Sequence, residues 1–125
     1  MDEHNKFILR LVTLQEVELA MNQFKQGKAP GPDGFTSNFF HHFWDFIKLD
    51  VWQVVDESRT LHWLLPYLNA TFISLIPKEY YPIIPDKFRP ITLYNVIYKV
   101  ISKVIASRLK PLLPLLIFPE KLFYV

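Results

Sequence analysis

The sequence predicts an α+β fold, with helices packed on a small antiparallel β-hairpin. Two observations carry this. Apolar residues recur at three- and four-residue spacing through residues 14–26, 37–58 and 95–110, the period of helices with one buried face. Between the second and third stretches lie two β-branched and aromatic runs, ATFISLI (70–76) and FRPITL (88–93), joined by a proline-rich segment of about ten residues. With 125 residues, half of them hydrophobic, the chain suffices for one domain around one modest core.

The first helix opens on Thr13-Leu14-Gln15-Glu16, a capping box in which Thr13 and Glu16 satisfy each other's backbone donors. Val17, Ala20, Met21 and Phe24 follow on one face, and Gly27 suits the left-handed position past the helix end. Next comes KAPGPDGF (28–35), which holds two of the chain's three glycines. Pro30 and Pro32 restrict their own φ and the residues before them, and Pro32-Asp33-Gly34 reads as a tight turn. A helix over 37–58, opened by Thr36 or Ser37, carries a stripe of Phe40, Phe43, Trp44, Ile47, Val51, Val54 and Val55. ATFISLI has apolar residues on both faces, so the spacing predicts a buried strand, and Pro77 stops it. After the loop EYYPIIPD (79–86) and the second strand, Asn95 is placed to cap a helix over 95–110 that Pro111 halts. Its core face is Ile97, Val100, Ile101, Val104, Ile105 and Leu109, with Lys99, Lys103 and Lys110 opposite and Arg108 near the margin.

Composition removes several function classes. Cysteine is absent, so disulfides, thiolate metal sites and cysteine nucleophiles are excluded. No apolar run approaches the ~18 residues of a membrane span, and no membrane partner is expected. The opening MDEHNKFILRLV is acidic where a secretory signal would be basic, so an intracellular location is expected. Residues 1–69 carry six Lys/Arg and nine Asp/Glu, net −3; residues 70–125 carry eight and three, net +5. An anionic partner would therefore meet the second half.

Motifs for common chemistries are missing. There is no H-E-x-x-H, and adjacent His41 and His42 point in different helix directions. There is no G-x-S-x-G, and Gly27-Lys28 is not followed by the Ser or Thr of a phosphate loop. The aspartates are dispersed, so no catalytic residue, cofactor or metal site is expected on this chain. What remains is Lys78 after the first strand and Arg89 at the start of the second, a point charge and a fork suited to phosphate oxygens.

Taken together, KAPGPDGF, FW, LNATFISLIPK, FRPITLYNVIYKVISKVIASRLKPLLP and PE occur in an order that resembles the N-terminal part of the reverse transcriptase domain of plant LINE-type (non-LTR) retrotransposons. The likeness spans about residues 12–120, with 1–12 as an N-terminal extension and 13–125 as a partial domain. It implies the fingers and early palm of a right-hand polymerase. The matching residues are Lys78 and Arg89 for the incoming triphosphate, and Lys28, Pro30, Gly31, Pro32, Asp33 and Gly34 for a template-proximal turn. Lys99 and Lys103 would flank the nucleic-acid path. The partners implied are an RNA template, a deoxynucleoside triphosphate and the remaining palm and thumb, with Mg²⁺ in the intact enzyme and the nucleus as the working place of an active element.

The family's catalytic aspartates belong to F-x-x-x-D and A-D-D segments that these 125 residues do not contain, so polymerase activity of this chain alone is not expected. FPEKLFYV (118–125) also departs from the family pattern, with Lys121 where Gln is usual. Two alternatives stand beside this reading: a residual single-stranded RNA-binding module, and a non-functional translated relic whose exposed apolar surface promotes aggregation.

Overall fold

A computed structural model describes residues 2–117. Their order is α1 (Glu3–Leu9), α2 (Leu14–Asn22), α3 (Ser37–His42), α4 (Trp44–Leu61), α5 (Pro66–Asn69), β1 (Thr71–Pro77), a 3-10 turn (Pro85–Lys87), β2 (Phe88–Tyr94), α6 (Val96–Leu109) and α7 (Leu113–Leu116). The α+β architecture is as expected: helices and one antiparallel hairpin, in which Thr71 faces Tyr94 and Pro77 faces Phe88.

The core is built where α2, α4 and α6 meet. Val17, Ala20 and Met21 of α2 pack with Val51 and Val55 of α4 and with Val96, Val100, Ile101 and Val104 of α6; Phe40 of α3 closes one side. Full burial of each Val or Met contributes roughly 1.5–3 kcal/mol relative to an exposed side chain. Two indole N–H groups fasten α4: Trp52 donates to the Val12 carbonyl at 2.8 Å and Trp44 to Glu18 at 3.3 Å.

The capping box forms as read: Glu16 N–H donates to Thr13 Oγ1 at 3.2 Å, and Thr13 N–H to Glu16 Oε2 at 3.0 Å. The helix it opens is shorter than expected, ending at Asn22. Gly27 does take a left-handed φ of +74°, but out in the loop, where its N–H donates to Asn38 Oδ1 at 3.1 Å.

Four expectations need correction. The helix over 37–58 is two helices, broken at Phe43 (φ −99°, ψ 12°). The run FFHHFW is made of weak helix formers. The break turns Phe43 out of the stripe, leaving it exposed while Phe40, Val51 and Val55 are buried. The strand ATFISLI is not buried: Phe72, Ile73, Leu75 and Ile76 are all exposed, because no helix lies broadly over either face of the two-stranded sheet. Ile105 and Leu109 are also exposed, so the core face of α6 is narrower than its apolar stripe. Finally, Arg108 is not marginal but buried, at 5% exposure. FPEKLFYV, with Lys121, lies outside the described residues.

Candidate nucleic-acid interface

The proline–glycine turn is locked by its chemistry. Gly34 N–H donates to the Gly31 carbonyl at 3.1 Å, closing a four-residue turn, and Gly34 sits at φ +77°, the left-handed region that favours glycine. Asp33 Oδ1 accepts from Phe35 N–H at 2.9 Å. Gly31 answers a different need. It is buried, and a Cβ there would meet the backbone of Tyr94 and Asn95 at the junction of β2 and α6. The close approach itself requires glycine.

Asn95 makes that approach stable. It starts α6, yet its side chain does not cap the helix. Oδ1 accepts from Asp33 N–H at 3.0 Å, and Nδ2 donates to the Tyr67 carbonyl at 3.0 Å. With zero exposure, this amide ties the turn, α5 and α6 together. The expected cap is thus corrected to a cross-link; its oxygen is already taken by a partner 62 residues earlier in the chain.

Lys28 and Lys99 are brought together by this docking. They line one cleft of about 60 Å³ with Lys25, from the loop after α2. Lys103, one turn further along α6, does not line it.

The hairpin presents Lys78 and Arg89. Directly opposed residues of an antiparallel pair share a face, and alternate residues return to it. Ile76 opposes Arg89, and Lys78 follows Ile76 by two, so Lys78 and Arg89 fall on one face. The ladder continues past Pro77 through Lys78 N–H to the Lys87 carbonyl at 2.8 Å. Lys78 Nζ donates to the Asp86 carbonyl at 2.7 Å, and Lys87 pairs with Glu79 at 3.1 Å, which stiffens the loop base. Arg89 has no side-chain hydrogen bond among the described residues and is exposed.

Among the described residues, no three His, Asp or Glu side chains converge so as to hold a metal ion.

The residue that sequence reasoning missed is Arg108. All five of its guanidinium N–H donors are used. Nε and Nη2 donate to the two oxygens of Glu16 at 3.0 and 2.9 Å, Nη1 to the carbonyls of Ile8 and Arg10, and Nη2 also to that of Leu11. The Arg108 guanidinium, aided by Thr13 N–H and Arg10 and opposed by burial, holds the Glu16 carboxyl at about 2, down from 4.5. One signal was available: Arg108 sits four residues after Val104 and seven after Ile101, in line with the core face.

No protein-family model matches the chain. Among curated proteins, it is 32% identical over 114 residues to the Transposon TX1 uncharacterized 149 kDa protein of Xenopus laevis. The match covers 91% of this chain, which spans 9% of that protein's length. The likeness is thus to one short stretch of a transposon protein and runs across nearly the whole of this chain.

Proposed function

We propose that the chain is the fingers and early-palm segment of a non-LTR reverse transcriptase, of the kind carried by plant LINE-type elements. In the intact enzyme it contacts the RNA template and the incoming deoxynucleoside triphosphate. The observation that carries the reading is the hairpin register, which sets Lys78 and Arg89 on one face of a short, stiff ribbon. Phosphoryl transfer is catalysed chiefly by positioning and by neutralising charge. Lys78 and Arg89 supply two positive charges for triphosphate oxygens, with Arg89 free to bind in a fork. Lys78 keeps two ammonium hydrogens beyond the one given to Asp86. The likeness to a transposon protein is a second support.

Two tests apply. The transcript should be read beyond codon 125; an open frame running into F-x-x-x-D and A-D-D segments is the expected result, and a frame that reaches neither motif sinks the polymerase assignment. In the purified chain, Lys78→Ala with Arg89→Ala should weaken binding of a deoxynucleoside triphosphate at least ~10-fold, the loss of one or two charge-assisted contacts. Unchanged triphosphate affinity removes the hairpin from the site. Nucleotide incorporation by the chain alone on an RNA template would contradict the placing of catalysis on other segments.

A further inference from the structure

A two-stranded sheet has two open edges, and the hairpin treats them differently. In an antiparallel ladder, residues alternate between those whose N–H and C=O point at the partner strand and those whose groups point away from it. Lys78 N–H donates to the Lys87 carbonyl, which sets the phase. Ile76 with Arg89, Ser74 with Ile91 and Phe72 with Leu93 then aim their backbone groups at each other. Those of Thr71, Ile73 and Leu75 point outward from β1, and those of Phe88, Pro90, Thr92 and Tyr94 outward from β2. Pro77 and Pro90, which have no N–H, both fall at outward positions, as this phase requires.

The outer edge of β2 is interrupted at its middle by Pro90, beside charged Arg89, two devices that keep a strand edge from pairing. The outer edge of β1 has neither. From Thr71 to Ile76 it carries no charge and no proline, and among the described residues no backbone hydrogen bond is made on its outer side. Phe72, Ile73, Leu75 and Ile76 are exposed along it, so apolar side chains on both faces stand beside unpaired N–H and C=O groups. An edge of this kind takes up another strand.

The run is complementary to itself. Laid antiparallel with Ser74 opposite Ser74 of a second copy, Ile73 exchanges both backbone hydrogen bonds with Leu75 of that copy. Phe72 then falls opposite Ile76 on one face and Ile73 opposite Leu75 on the other, apolar pairs that stabilise a sheet. Lys78 falls opposite Ala70 of the second copy, so the two Lys78 positions are roughly 26 Å apart at about 3.3 Å per residue, far beyond the screening length of about 8–10 Å. A parallel arrangement would set them side by side. Both outer edges of the joined sheet are then β2, each interrupted by Pro90, so pairing closes at two copies and does not run on into a filament.

We propose that β1 is a docking edge for a second copy of this chain, the two hairpins joining into one four-stranded antiparallel sheet with Ser74 at its two-fold axis. The chain has no cysteine, so a single introduced thiol reports on that axis. Opposed residues at such a non-hydrogen-bonded position lie about 4.5 Å apart at Cα, within disulfide reach. Under mild oxidation Ser74→Cys should form covalent dimers at least ~10-fold faster than Gln53→Cys on the exposed side of α4, because docking raises the local thiol concentration. Interfaces this small, below about 1,200 Å², are transient. Sedimentation of the whole chain is therefore followed up to roughly 1 mM, the weak end of specific affinities, where the mass should rise toward twice that of the monomer.

Ile73→Pro removes an outward N–H without touching the ladder and should stay monomeric. Thr92→Pro, the same change on the outer edge of β2, should dimerise as wild type does. If Ile73→Pro does not fold, Ile73→Lys, which sets a charge against Leu75 of the second copy, takes its place. Equal dimerisation of the β1 and β2 variants overturns the proposal, as does cross-linking of Ser74→Cys no faster than that of Gln53→Cys. A monomer at every concentration overturns it too, whatever else then covers β1. None of these variants alters Lys78 or Arg89, so triphosphate binding remains a separate measure of the polymerase reading.

Discussion

Replacing Glu16 by Gln should unlatch α6 from the N-terminal segment and erase most of the acid sensitivity between pH 4.5 and 2. In the folded protein Glu16 titrates at about 2 instead of 4.5. At about 1.4 kcal/mol per pH unit between those values, the ionised carboxylate contributes about 3 kcal/mol. The pair is well enclosed, with side-chain exposures of 19% for Glu16 and 6% for Arg108, so solvent and salt screen it little. The sign follows from the lowered value. The unfolded chain binds the proton first, so the contribution is complete above about pH 4.5 and disappears as pH falls toward 2. In Glu16→Gln one carboxylate oxygen becomes an NH₂ facing Arg108, Thr13 or Arg10 donors, so a loss of about 2–4 kcal/mol at pH 7 is expected. Denaturant unfolding followed by tryptophan fluorescence from pH 7 to 2.5 would measure it. The wild-type stability should fall through this window, the variant should stay flatter, and the two should converge near pH 2. Parallel curves would refute the argument, because the titrating group would then lie elsewhere.

Other outcomes follow from the turn and its anchor. Gly31→Ala places a Cβ against the backbone of Tyr94 and Asn95 and should cost about 2–4 kcal/mol in denaturant unfolding, whereas Gly34→Ala meets open space and only the strain of a positive φ, about 1–2 kcal/mol. Equal losses would contradict the close-approach explanation. Asn95→Ala leaves Asp33 N–H and the Tyr67 carbonyl without their partner and should cost about 2–3 kcal/mol. Asn95→Asp, which keeps the acceptor but sets a carboxylate against that carbonyl, should be no better at pH 7; near-wild-type stability of either variant would remove the cross-link from the account.

Local signals were readable wherever neighbours in sequence are also the interaction partners. Thr13 and Glu16 cap each other across three residues, the hairpin pairs two runs that follow one another in sequence across a loop of about ten residues, and Pro32-Asp33-Gly34 turns as its residue types demand. Apolar periodicity also located α2, α4 and α6. It overreached where a face was apolar but had nothing to pack on. Phe72, Ile73, Leu75 and Ile76 are exposed because the hairpin has no broad cover, and alternation along a strand carries no information about what covers it.

The candidate site divides in the same way. That cations sit at Lys28, Lys78, Arg89 and Lys99 is a property of the sequence. Pairing of the two runs as a hairpin allows Lys78 and Arg89 to lie near each other, and the register puts them on one face. That Lys28 and Lys99 line one cleft was decided by tertiary structure, helped by a buried amide reaching from Asn95 to Asp33 across 62 residues. The role of Arg108 was decided likewise. Its place on α6 follows from helical spacing, but its burial depends on a carboxylate 92 residues away and three carbonyls that α6 itself does not supply. Sequence determines which groups are available and which faces are apolar; partners for a buried charge exist only once distant backbone has been brought within hydrogen-bond reach, because such bonds extend barely 3 Å.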